Sequence, residues 1–221
     1  MSSRNIQTVF FDLDGTLVDQ FEPIYRSYSF VAKELSVPLI AEKEVKKQIG
    51  GSLPITLGKL LGEDNVARAL PLFNKHFEGI MFEGLHIQPG AEWILKGLKE
   101  KKVQTVLFTN KEQMAAKACC KHLNIDHLFD HHVTTGNIPW RKPMREFTEY
   151  GLKVASAKAE SSVVIGDSNY DAEAAETCGL GAYLLTTGTH DREALSVLKV
   201  EGVYDSLYEI GEAVFGLNPE N

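Results

Sequence analysis

Asp12 and Asp14 stand two residues apart in Phe10-Phe11-Asp12-Leu13-Asp14-Gly15-Thr16-Leu17-Val18-Asp19, directly after an apolar run from Ile6 to Phe11. That run holds β-branched and aromatic residues and reads as a buried strand. A buried strand cannot leave two charges in the core unpaired. The carboxylates therefore belong at its carboxyl end, the edge at which open α/β sheets bind ligands. Gly15 lets the chain turn away with no Cβ in the way. Residues i and i+2 of a strand point to one side, so both carboxylates face one site if the strand persists through Asp14. If the chain turns at Leu13, a backbone carbonyl can replace one carboxylate. Oxygen ligands clustered in this way suit a hard cation, Mg²⁺ above all. The plainer alternative is a turn carrying two solvated aspartates.

Three other places carry groups of the same kind. Thr109-Asn110 follows the apolar run Val103 to Phe108 and is read as opening a helix. A hydroxyl and backbone N–H groups there make an anion site, or simply an N-cap. Lys142, between Arg141 and Pro143 before a helix, can set a fixed positive charge over a phosphate, or is a surface lysine. Gly166-Asp167-Ser168-Asn169-Tyr170-Asp171 follows Val163-Val164-Ile165, so apolar residues again deliver carboxylates to the sheet edge. Asp167 and Asp171 are four apart, and a turn can bring both to one cation; Asp171 can also cap the helix beginning near it.

The elements that must position these groups follow from periodicity. Phe21, Ile24, Tyr25, Tyr28, Val31 and Leu35 recur at helical steps. Further helices are expected over 41–49, 53–61 and 64–82, broken by Gly50-Gly51-Ser52 and Gly62, with no convincing strand between Asp19 and Gly84. After Pro89-Gly90, helices over 91–101, 111–123, 144–154, 171–178 and 204–215 alternate with strands over 103–108, 132–135, 162–165 and 182–185. Such alternation predicts an α/β fold, a Rossmann-like doubly wound parallel sheet with helices on both faces. The first strand belongs with this later region. The four helices after it are then an insertion, too small for a typical free domain, placed where a cap over the Asp12 and Asp14 edge would sit.

The chain has 221 residues, enough for one large domain or a core with a small one inserted. Its formal net charge of −7 argues against non-specific nucleic-acid binding. The same acidity repels a phosphorylated substrate, so a phosphate site here needs local cations or a metal. Cys119, Cys120 and Cys178 lack zinc-ligand spacing and read as reduced core residues. The first residues lack a signal-peptide pattern and no stretch reaches transmembrane length, so a cytoplasmic protein without membrane contact is expected.

Taken together, the order and spacing of these pieces resemble the haloacid dehalogenase-like superfamily, in particular its Mg²⁺-dependent phosphatases with a small helical cap. Asp12 to Asp19, Thr109-Asn110-Lys111, Lys142-Pro143 and Gly166 to Asp171 are similar to its four motifs, and the match covers nearly the whole chain. The resemblance implies a catalytic core over 1–17 and 88–221 and a helical cap over 18–87. It implies Asp12 as nucleophile forming an aspartyl-phosphate and Asp14 as general acid, then base. It implies Mg²⁺ held by Asp12, the Asp14 carbonyl and Asp167, with Asp171 placing a metal-bound water. Thr109, the Asn110 backbone and Lys142 would bind the phosphoryl oxygens. The leaving group would meet the helix after Val18 and the Gly50-Gly51-Ser52 turn, with Gly51 a substrate contact. The expected partner is a small phosphorylated metabolite, and the expected state a monomer or homodimer.

Phosphoglycolate-phosphatase-like enzymes are the nearest group in style. A phosphosugar mutase is the alternative, made less fitting because Gly50-Gly51-Ser52-Leu53 lacks the arginine of β-phosphoglucomutase-like relatives. Asp14 counts against a true dehalogenase. A non-catalytic phosphate-binding or regulatory protein would not need both Asp12 and Asp14. Arg145 replaces a proline frequent in relatives, which touches a helix start and not the chemistry. His122, His127, His131 and His132 are read as ordinary surface or edge histidines, and Lys46 and Lys47 as solvated helix lysines.

Overall fold

The computed structural model describes residues 5–218. Its first half runs β1 (Thr8–Phe11), β2 (Val18–Asp19), α1 (Phe21–Glu34), α2 (Glu42–Lys46), α3 (Leu53–Leu61), α4 (Val66–Ile80) and β3 (His86–Ile87). Next come α5 (Ala91–Glu100), β4 (Gln104–Glu112), α6 (Gln113–His122), β5 (His131–Thr135), α7 (Arg145–Ala155) and β6 (Ser162–Gly166). Last are α8 (Asn169–Cys178), β7 (Gly181–Leu185), α9 (Arg192–Ser196), β8 (Gly202–Tyr204) and α10 (Leu207–Phe215).

Six strands form one parallel sheet in the order β5-β4-β1-β6-β7-β8. The chain winds outward from β1 on one side and then crosses to the other, so the reversal of direction falls at β1. All four residues of β1 are buried, which is why it reads as a continuous apolar run. Alternate residues feed opposite layers. Val9 and Phe11 join Ile94, Leu95 and Leu98 of α5 and Ile210 of α10. Phe10 joins Phe108, Phe147 of α7 and Ala174 of α8. The fold is thus the expected α/β arrangement, with helices on both faces. No helix among the described residues is long and apolar enough to cross a membrane.

The helices α1 to α4 all lie between β2 and β3, which pair antiparallel as a two-stranded ribbon. Tyr28 and Val31 of α1, Leu57 of α3 and Phe73 and Phe77 of α4 are buried in one apolar cluster that continues into the sheet layer.

Several elements differ from the expectation. The ribbon, β8 and α9 are only two to five residues long, too short for a period to show. Tyr204 ends β8 and does not open the last helix. β4 runs on to Glu112 through an irregular register between Thr109 and Glu112, because Glu112 still pairs with Thr135 of β5. The following helix therefore starts at Gln113, and Thr109-Asn110 does not open it.

Candidate active site

The strand ends where the first carboxylate begins. Asp12 N–H still donates to Ile165 in the sheet (2.9 Å), but Leu13 O accepts from Thr16, Leu17 and Val18, closing a tight turn. Of the two geometries open at Asp14, the turn at Leu13 is the one formed. Gly15 has φ +87°, and a Cβ there would press on the Asp167 carboxylate at 2.7 Å. Backbone conformation and close approach both demand glycine at this position.

Asp12, Asp167 and Asp171 each offer one carboxylate oxygen within 4.8 Å of the others, and all three are buried. Lys142, read as fixed over a phosphate or on the surface, is 1% exposed and lies among them. Its Nζ donates to Asp12 Oδ1 at 2.7 Å and to Asp171 Oδ1 at 2.6 Å. Asp171 Oδ2 accepts from the Ser168 hydroxyl (2.6 Å) and from the backbone N–H groups of Ser168 and Asp167 (3.1 and 3.2 Å). This is a capping box for α8 with Ser168 as N-cap, so Asp171 is the box's acid and not the cap itself. With both its oxygens engaged, Asp171 positions Lys142.

Asp167 is the reverse case. Its Oδ2 accepts from Thr189 N–H (2.8 Å) and Oγ1 (3.1 Å), while its buried Oδ1 has no partner among the described residues. A buried carboxylate oxygen without a partner is costly. Burial pushes the Asp12 carboxyl up to about 6, against the pull of Lys142. Burial also holds Asp167 well above the ordinary carboxylate range, with the charges of Asp171 and Asp12 adding to it. Burial alone would lower Lys142, but Asp12 and Asp171 outweigh it and keep the ammonium charged. Three carboxylates against one ammonium leave two negative charges buried when all are ionised. A divalent cation touching Asp12 and Asp167 removes that imbalance, and an all-oxygen donor set fits Mg²⁺.

The Asp14 side chain is engaged apart from the three buried carboxylates. Its carboxylate takes two hydrogen bonds from Lys111 Nζ, at 2.8 and 3.0 Å, leaving only the backbone carbonyl for a cation. Thr109 is buried and its hydroxyl accepts from Lys111 N–H at 3.2 Å. The Asn110 side chain is fully engaged: it donates to Gly50 O (3.0 Å) and Lys142 O (3.1 Å) and accepts from Lys142 N–H (2.7 Å). Asp12, Asp14, Gly51, Thr109 and Asn110 line one cavity of about 120 Å³ between the sheet edge and the inserted helices.

Sequence reasoning missed Thr189 and the Asp14–Lys111 pair. A signal existed for the first, since Leu184-Leu185 leads into Thr186-Thr187-Gly188-Thr189, another apolar strand ending in polar residues at the same edge. It also missed Tyr170, whose ring packs beside Gly50 and Gly51 and whose hydroxyl accepts from Lys59 at 3.2 Å. The histidines are scattered as expected: His122 stacks on Phe82, and His132 lies 3.6 Å from Asp126.

The family model for haloacid dehalogenase-like hydrolases matches residues 9–184. A phosphoglycolate phosphatase of Vibrio parahaemolyticus is 25% identical over 224 residues, covering 97% of this chain and 98% of its own. One of Pseudomonas fluorescens is 29% identical over 189 residues, 81% of this chain and 69% of its own. Among solved structures, a haloacid dehalogenase-like hydrolase of Streptococcus pneumoniae superposes with TM-score 0.85 at 24% identity, covering 95% of this chain and 98% of that one. A hydrolase of Pseudomonas syringae does so with TM-score 0.83 at 21% identity, over 96% and 99%.

Proposed function

This chain belongs to the haloacid dehalogenase-like hydrolases and is a phosphatase, and from that premise we propose that it cleaves a small phosphomonoester through an aspartyl-phosphate on Asp12. In the first step an Asp12 oxygen bonds to phosphorus as the bond from phosphorus to the leaving oxygen breaks. Asp14 gives its proton to that oxygen, releasing an alcohol. In the second step Asp14 takes a proton from water, which attacks the same phosphorus and frees Asp12 and inorganic phosphate. While Asp14 is protonated its other oxygen still accepts from Lys111, and both bonds are restored when Asp14 is ionised.

Lys142 balances charge on the transferring phosphoryl group and is held in place by Asp171. Thr109 supplies a hydroxyl beside the same group. Asp12, Asp167 and the Asp14 carbonyl would hold Mg²⁺, which when bound offsets the negative charge of substrate and carboxylates. Residues 18–87 act as the cap over a core of 1–17 and 88–221, with Gly51 touching the leaving group. The observation that carries this reading is the buried Asp12–Lys142–Asp171 chain beside Asp167 Oδ1, which has no partner among the described residues.

The test is phosphate release from phosphoglycolate, sugar phosphates, nucleotides and an aryl phosphate, with Mg²⁺ or EDTA, for wild type and Asp12→Asn. Mg²⁺-dependent release that vanishes in Asp12→Asn supports the reading. Release unaffected by either change sinks it. A phosphosugar mutase would instead interconvert sugar phosphates with little net release.

A further inference from the structure

The next step rests on the phosphatase reading and narrows its substrate. Away from its carboxylates, the cavity is walled by Ile24, Ile49, Leu53, Phe73, Phe77 and Ala115. The two phenylalanines stack with ring centres 5.6 Å apart, one helical turn from each other on α4. The ionisable side chains on the walls are Asp12, Asp14, Lys111 and Glu112. Lys111 is the lone cation among them, and its ammonium is already bonded to both oxygens of Asp14, with the side chain 9% exposed. The Phe77 ring, 5.4 Å from that ammonium, covers it further.

A second anionic group on the substrate would therefore leave water for an apolar wall that offers no unpaired cation. Glu112, at the exposed edge of the cavity, would repel it as well. An uncharged hydrocarbon body loses nothing by the same transfer and gains from burial. The part of it buried here is bounded at one ring or less, because about 120 Å³, shared with the phosphoryl group beside Asp12 and Thr109, falls short of the roughly 150 Å³ that holds one benzene ring. Asn74 adds one polar feature. It follows Phe73 on α4, lines the cavity, and makes no side-chain hydrogen bond among the described residues.

We propose that the alcohol released is uncharged, with a mainly apolar body no larger than about one ring, and that Asn74 reads a single hydrogen-bonding group on it. A carboxylate-bearing leaving group is then a poor fit, although the relatives described above are named for phosphoglycolate.

The experiment compares benzyl phosphate, para-carboxybenzyl phosphate and phosphoglycolate, with p-nitrophenyl phosphate as a general ester. Benzyl phosphate is expected to exceed both carboxylated esters in kcat/KM by about tenfold or more. Glu112→Lys should narrow the gap between the two benzyl esters. A carboxylated ester that equals or beats benzyl phosphate on wild type overturns the assignment. Failure of the phosphatase reading looks different, since no ester, p-nitrophenyl phosphate included, then yields phosphate. Calorimetric binding of benzylphosphonate against its para-carboxy analogue still decides the pocket in that case. Tighter binding of the neutral compound supports it, and equal or weaker binding overturns it. For Asn74, para-(hydroxymethyl)benzyl phosphate should be preferred over benzyl phosphate by wild type and not by Asn74→Leu; no preference in wild type removes Asn74 from the proposal.

Discussion

The Asn110 side chain clasps the backbone of Lys142 on both sides, its Oδ1 accepting from Lys142 N–H at 2.7 Å and its Nδ2 donating to Lys142 O at 3.1 Å. The same Nδ2 reaches Gly50 O at 3.0 Å, so one amide ties the buried lysine to the glycine turn of the inserted helices.

Asn110→Ala should leave the buried Lys142 N–H without its acceptor, at a cost of about 1–3 kcal/mol. Asn110→Asp keeps that acceptor but sets a buried carboxylate oxygen against Gly50 O and Lys142 O, so its deficit should be larger. Urea unfolding gives the stability, and kcat should fall in the same order as Lys142 loses its fixed placement.

Asp14→Asn removes the proton donor while leaving Asp12 in place. With an alkyl ester, kcat should drop by about 10²–10⁴. With p-nitrophenyl phosphate, whose leaving group departs without a proton, the first step should be nearly spared. Single-turnover trapping of phosphoenzyme separates the two: the variant should accumulate it from the aryl ester. Equal losses in the rate of phosphoenzyme formation from both esters would argue for a structural role through Lys111.

Thr189→Val keeps the backbone N–H to Asp167 and deletes the hydroxyl bond. The Mg²⁺ concentration for half-maximal activity should rise by about tenfold, as for other groups that orient a metal ligand. Gly188→Ala should be more severe, since a methyl group there would overlap the Asp167 carboxylate. Both variants should keep the wild-type circular dichroism spectrum, because the change is confined to the loop after β7.

Metal and pH should act on stability together. Asp12 has its carboxyl raised from 3.8 to about 6 on folding, and Asp167 is shifted the same way. A raised acid binds more protons in the native state than in the unfolded one, so its contribution is present below the unfolded value and lost as pH rises through the folded one. Metal-free protein should lose stability from this cluster between about pH 4 and pH 6. Saturating Mg²⁺, which needs the ionised carboxylates, should raise Tm more at about pH 7.5 than at about pH 5. A Mg²⁺ effect that is equal at both values would place the cation elsewhere.

Strand ends made much of this site legible in advance. Phe11-Asp12 and Gly166-Asp167 each announce a buried strand running into a charge, and that local conflict needs no knowledge of the partner. The long helices α1, α4, α5 and α7 show their buried faces in the spacing of their apolar residues. What stayed hidden depends on contacts between distant residues. Nothing near Lys111 says that it will meet Asp14, and nothing near Asp171 says that both its oxygens will be taken. The helix start after Asn110 was misplaced because pairing of Glu112 with β5 overrides a helical preference that the sequence carries only locally.

The ribbon of β2 and β3 sets Val18 opposite Ile87 and Asp19 opposite His86. The chain thus leaves the sheet layer and returns to it at neighbouring points, and closing the gap costs little whatever length lies between. The helices in that interval can lengthen, shorten or be exchanged while β1 and β4 keep their register. On the proposed division of cap and core, the choice of molecule and the cutting of its bond are inherited on separate stretches of one gene, free to diverge at different rates.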